Sequence, residues 1–236
     1  MLHEGKSWFT FDLPNKSGLA SSSAYTVGLL RVCSELDKKT IAKVATTWEQ
    51  DKMNGAVGSQ DQYLCAIGGF HHLRFSEHGV RDTLISQDSV SLLQDWLMLF
   101  DTHQYRINGE IIPTQLKEMD KHKDLYERMS RMPEIGVDLI NVQAWEGFGQ
   151  LLDEAWRLKK EVAPKASTPL IDSLYHSAME SGAIGGKLCG GGGGGFIIFV
   201  VNPEKQANVR QALSDLTYVP FKFEIDGTQV IYKDVR

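Results

Sequence analysis

The segment Ser181–Val200 reads SGAIGGKLCGGGGGGFIIFV, with six consecutive glycines from Gly190 to Gly195. Glycine loses more backbone entropy on folding than any other residue. A run of this length therefore needs a reason: positive φ angles, or close approach by a ligand or a neighbouring segment. The apolar stretch Phe196–Val201 follows at once and reads as a buried strand. A flexible linker would be serine-rich and flanked by polar sequence, so this is a structured turn. Two readings stay open from these residues alone: a packing turn where two elements cross closely, or a loop that cradles a ligand.

The 236 residues suit one large domain or two modest ones, and 42% hydrophobic with 23% charged residues is ordinary for a globular chain. A formal net charge of −5 offers no basic field for nucleic acid. Cys33, Cys65 and Cys189 are widely spaced, with no CxxC or metal-ligand pattern, so reduced thiols and a cytoplasmic location are expected. The opening MLHEGKSWFT does not read as a signal peptide, and no apolar run approaches membrane-spanning length.

Upstream, Trp8–Asp12 alternates and is aromatic, predicting a strand. Pro14 and Gly18 break it, and Ser21, Ser22 and Ser23 then open a helix bearing Val27, Leu30 and Leu36. Strand, glycine-containing loop and helix start leave unpaired N–H groups at the positive end of a helix dipole, a setting that favours an anion. An ordinary serine cap is the plainer alternative, although three serines exceed what one cap needs. Thr40–Gln50 predicts a second helix with Ile41, Val44, Ala45 and Trp48 on one face and Glu49 near its end. After a turn at Asn54-Gly55 and Gly58, Ser59 and Gln62 have capping-box spacing for a short helix that carries Asp61 in its first turn. Separately, Glu49 and Asp61 read as a solvated carboxylate and a dipole-compensating acid. Together across a glycine-rich turn they are a candidate Mg²⁺ and base pair.

Further on, Gly69–Phe75 predicts a strand on which His71 and His72 face opposite ways and cannot share a metal. Asp95–Asp101 predicts another. Ile111–Leu158 is helical in pattern, with a break expected near Met132-Pro133 and Gly136. Leu170–Ser181 is a helix entering the glycine run. After the strand at Phe196, the expectation is a helix (Pro203–Leu216) and two strands (Val219–Ile225 and Gln229–Tyr232). A domain boundary is expected between Phe75 and Asp95, giving residues 1–80 and 81–236.

Two glycine-rich motifs thus bracket an acidic pair. PNKSGLASSSA resembles the phosphate-binding signature of the GHMP kinases, and GAIGGKLCGGGGGGF resembles that family's C-terminal glycine motif, in the same order and separation. The blocks TWEQDKMNGAVGSQDQYLCAIGGFHHLRF and LLDEAWRLKKEVAPKASTPLIDSLYHSAMESGAIGGK are similar to the branch containing D-glycero-D-manno-heptose 7-phosphate kinase. The resemblance implies a two-layer α/β (α+β) fold. It has an N-terminal ATP-binding portion like domain 2 of ribosomal protein S5 and a C-terminal ferredoxin-like portion. It implies ATP phosphates on Gly18, Leu19, Ala20, Ser21, Ser22 and Ser23, Mg²⁺ held by Ser22 and Glu49, and Asp61 as the catalytic acid. Gly190, Gly191, Gly192 and Gly193 would close the site, and Arg106 would meet a substrate phosphate or remain a surface arginine.

The activity implied is phosphorylation of the anomeric hydroxyl of a heptose 7-phosphate. FDTHQYR, Phe100–Arg106, departs from the Thr-Gly…Arg pattern of that branch. The family's N-terminal motif has no counterpart before Trp8. The alternative expectation is therefore a non-catalytic nucleotide- or sugar-binding module, or a subunit whose partner chain covers a truncated sheet edge. A small-molecule sugar partner, no nucleic acid, no membrane, and a homo-oligomer or partner chain complete the expectation.

Overall fold

The computed structural model describes residues 10, 14, 17–52, 57–105 and 119–232. The strand expected at Trp8–Asp12, Thr10 apart, the Asn54-Gly55 turn and Arg106 lie outside the described residues. The chain divides into two compact units, one running up to Gly69 and including the tail from Glu224, the other Phe70–Phe223.

In the first unit, helices α1 (Ser21–Cys33), α2 (Lys38–Thr47) and α3 (Gln60–Ile67) surround a small core of Val27, Leu30, Ile41, Ala42, Ala45 and Ala66. Asp37 starts α2 by accepting from the N–H groups of Lys39 (3.0 Å) and Thr40 (3.1 Å). The helix does not run on regularly to Gln50. Trp48–Lys52 forms a π-helical turn, whose wider spacing passes the buried position from Trp48 to Glu49. Trp48, expected in the core, is exposed, while Glu49 is 3% exposed.

The expected strands at Val219–Ile225 and Gln229–Tyr232 do not form. From Glu224 the tail spends its backbone hydrogen bonds on the end of α3: Gly69 N–H donates to Glu224 O (2.8 Å) and Thr228 N–H to Ala66 O (3.2 Å). Those turn-like bonds replace the ladder that a strand would need.

The second unit opens with a hairpin, β1 (His71–Ser76) and β2 (Gly79–Leu84), followed by α4 (Gln87–Gln94). Its main sheet contains β3 (Leu97–Asp101), β4 (Ala183–Leu188), β5 (Phe196–Val201) and β6 (Thr217–Tyr218), in the order β4-β5-β3-β6. Every pairing in it is antiparallel, with Leu97 opposite Val200 and Phe100 opposite Ile197. The glycine pair Gly185-Gly186 therefore belongs to a strand and not to the turn.

β5 is apolar throughout because both of its faces are covered. Ile197, Phe199 and Val201 join Met98, Phe100, Trp156 and Ile171 in one cluster. Val200 joins Leu97, Leu93, Ile140 and Trp145 in another. The covering helices are α5 (Lys123–Asn141), α6 (Trp145–Val162), α7 (Pro169–Glu180) and α8 (Gln206–Ala212). The break expected at Pro133 is absent: Pro133 lies inside α5, and the chain turns instead at Val142–Ala144. Burial of Met132, Gly136 and Ile140 along one face holds the helix through the proline.

Candidate active site

α1 begins without a conventional cap. Ala20 adopts φ 57° and contributes no side-chain cap, and the first turn holds no acid. The first intrahelical bond from this turn is Ala24 N–H to Ala20 O, at 2.9 Å, so the N–H groups ahead of it have no partner four residues back. Gly18 is also left-handed, at φ 79°, and Leu19 N–H donates to the hydroxyl of fully buried Ser17 (3.3 Å). This segment, Gly18, Leu19, Ala20, Ser21, Ser22 and Ser23, is a bent backbone leading into the positive end of a helix with no anion of its own.

Behind it lies a buried polar layer. Ser23 Oγ donates to Glu49 Oε2 at 3.1 Å, and Gln62 Nε2 donates to the same oxygen at 2.9 Å. Ser23 and Gln62 are 2% and 0% exposed. Glu49 Oε1 and Gln62 Oε1 are buried and have no hydrogen-bond partner among the described residues. Asp61 opens to solvent, yet desolvation by its surroundings, and next the charge of Glu49, raise its pKa above 3.8. Cys65, one turn further along α3, is pushed up to about 12, chiefly by desolvation and then by Asp61 and Glu49.

The sequence expectation is thus partly redistributed. The structure brings Ser23, Glu49 and Asp61 together, but Ser22 is exposed, and its carbonyl accepts from Thr26 Oγ1 (3.2 Å). Gln62 does not form a capping box with Ser59, whose side chain caps nothing. It turns inward because it lies four residues before buried Ala66, on the packed face of α3. That i, i+4 relation was the available sequence signal for its role.

The glycine run lies in the second unit. Gly190, Gly192, Gly193, Gly194 and Gly195 all have positive φ. Gly193 N–H donates to Ala166 O (2.8 Å) and Gly195 N–H to Gln104 O (2.5 Å). A Cβ on Gly192 would fall 2.7 Å from Ala166 Cα, and one on Gly194 would fall 2.3 Å from Gln104 O. Thr102 fastens the far end, its hydroxyl donating to Gly195 O at 2.6 Å. Within this unit the run is a close-packed turn between β4 and β5. Next to it, Tyr105 OH donates to Asp101 Oδ2 (2.5 Å) and is pushed up to about 12, mainly by that bond.

Mg²⁺ fits the residues present. A buried carboxylate oxygen without a partner, beside a second carboxylate held above its ordinary pKa, is a local excess of negative charge and oxygen donors that a hard divalent cation relieves.

An uncapped, anion-ready helix start and two neighbouring carboxylates on an α+β scaffold suit phosphoryl transfer. The sequence matches the GHMP kinases N terminal domain over residues 5–69 and the GHMP kinases C terminal domain over residues 137–218. It is 30% identical over 231 residues to a D-glycero-alpha-D-manno-heptose 7-phosphate kinase of Campylobacter jejuni, covering 92% of this chain and 68% of that one. The fold superimposes with TM-score 0.72 on a D-glycero-D-manno-heptose 1-phosphate kinase from Bacteroides thetaiotaomicron (24% identity, 94% of this chain, 66% of that one). It superimposes equally, at 0.72, on a mevalonate kinase (21% identity, 91% and 68%). The chain belongs to the GHMP kinase family, ATP-dependent kinases of small molecules, and has that family's fold. It spans about two thirds of the length of these relatives. Among the described residues, no helix is long and apolar enough to cross a membrane.

Proposed function

We propose that the chain is an ATP-dependent sugar-phosphate kinase that transfers the γ-phosphoryl group to the anomeric hydroxyl of a heptose 7-phosphate, in the cytoplasm. The observation that carries this reading is the Glu49–Asp61 pair: one carboxylate is buried and held by hydrogen bonds, the other is open to solvent with a raised pKa. The similarity to a heptose 7-phosphate kinase supports the choice of sugar.

The roles follow from charge and position. The loop and helix start at Gly18–Ser23 receive the ATP phosphates on their backbone N–H groups. Glu49 would hold Mg²⁺, with Ser22 supplying a hydroxyl from the exposed edge of the same turn. When bound, that ion neutralises charge on the transferring phosphoryl group. Asp61 accepts the proton of the attacking hydroxyl while its oxygen bonds to the γ-phosphorus and ADP departs with the bridging oxygen. Its raised pKa makes it a better proton acceptor than an ordinary aspartate. An ATP-consumption assay against hexoses, heptoses and their phosphates tests the proposal. Turnover on heptose 7-phosphate is the expected result, and ATP binding without transfer to any sugar would overturn it in favour of a non-catalytic module.

A further inference from the structure

Two buried polar groups converge on one carboxylate, and both act on the same oxygen. Glu49 Oε2 accepts from both Ser23 Oγ and Gln62 Nε2. Glu49 Oε1, no less buried, accepts from nothing among the described residues. A lone buried carboxylate ordinarily distributes its hydrogen bonds over both oxygens, because each unsatisfied one is costly. Loading both donors onto Oε2 fixes the plane of the carboxylate and keeps Oε1 vacant. Gln62 adds a second vacancy, since its amide is committed through Nε2 and its own Oε1 is buried without a partner. Neither donor sits on the element that carries Glu49. Ser23 comes from α1 and Gln62 from α3, so the orientation of Glu49 depends on the packing of three elements.

We infer that Ser23 and Gln62 form a positioning clamp that immobilises Glu49 through Oε2 so that Oε1 is presented to the divalent cation. The Ser23 hydroxyl thereby acts behind the carboxylate and not on the phosphates, which its backbone N–H still faces. The inference rests on the kinase reading only in naming Mg²⁺ as the ion. A group that orients a metal ligand affects metal affinity more than nucleotide affinity, typically by about 10- to 100-fold.

The test uses the full chain and two variants, Gln62→Met and Ser23→Ala, each of which deletes one donor at nearly constant shape. Either suffices should the other fail to fold. An ATP analogue with a non-transferable γ-phosphate is titrated with and without Mn²⁺, by calorimetry and by the Mn²⁺ EPR signal. The expected result is that the gain in analogue affinity brought by Mn²⁺ falls about tenfold in each variant, while metal-free affinity stays within about twofold. An undiminished Mn²⁺ gain in both variants would overturn the clamp, as would a wild-type chain whose analogue affinity ignores Mn²⁺. A wild-type chain that binds no nucleotide sinks the kinase reading instead, and Mn²⁺ titrated alone then decides: weaker binding in the variants supports the clamp, and equal or absent binding refutes it.

Discussion

Ser23 and Glu49, 26 positions apart in the chain, meet where the Ser23 hydroxyl donates to Glu49 Oε2 at 3.1 Å inside the first unit. This contact turns a serine at a helix start into the support of an acid and fixes where the charge of Glu49 is felt. Asp61 feels it directly: its pKa is raised first by desolvation and second by Glu49. In Glu49→Gln the second cause disappears and the first remains. The Asp61 pKa is then expected to fall, yet stay above the ordinary aspartate value. A carboxyl ¹³C NMR titration reads this, and an unmoved Asp61 would refute the electrostatic pairing. Turnover should drop by about 10²-fold or more, as for removal of other groups that stabilise transition-state charge.

Asp61→Asn separates chemistry from stability. The folded pKa of Asp61 lies above its unfolded value near 3.8. Its stabilising contribution is therefore complete below the unfolded pKa and is lost as pH rises through the folded one. At neutral pH the ionised side chain opposes folding. The amide should raise the thermal midpoint at pH 7, with the gain fading as pH falls below the folded pKa, while transfer falls by about 10²- to 10⁴-fold and ATP binding persists. Differential scanning calorimetry across pH, with single-turnover kinetics, checks both halves. A lowered midpoint at pH 7 would contradict the electrostatic assignment.

The glycine run predicts an uneven response to alanine. At Gly194, φ is 141° and a Cβ would sit 2.3 Å from Gln104 O, so Gly194→Ala should destabilise by about 1–3 kcal/mol or more. Gly191 is not among the positive-φ glycines of the run, and Gly191→Ala should be close to neutral. Urea denaturation of the two variants compares them, and equal losses would show that backbone conformation does not set the ranking.

Thiol chemistry offers a check that needs no substrate. Burial pushes Cys65 up to about 12 and Cys189 up to about 11, whereas Cys33 is exposed. Since only thiolates react, iodoacetamide at pH 8 should modify Cys33 first and leave Cys65 and Cys189 largely intact in the folded chain. Peptide mapping over time decides it. Early modification of Cys65 would mean that the carboxylate layer around it is more open than the structure shows.

Local pattern alone determined much of this protein. The unbroken apolar run Phe196–Val201 specified a buried strand, the serines after Gly18 specified a helix start, and the two glycine motifs in order specified the family. These features survive reading from sequence because strand burial, helix termini and left-handed turns are dictated by neighbours a few residues away. Only the tertiary structure decided the rest. It placed the extra residue of a π turn so that Glu49, not Trp48, enters the interior. It rotated Gln62 away from a capping role to face Glu49, carried α5 through Pro133, and spent the tail beyond Glu224 on the end of α3 instead of a strand. Each of these outcomes depends on which distant segment supplies the compensating contact or hydrogen bond. The glycine run, open in sequence between a packing turn and a ligand loop, is close-packed against Ala166 and Gln104 within its own unit. That follows from backbone-to-backbone approach, which a string of residues without side chains permits but cannot by itself announce.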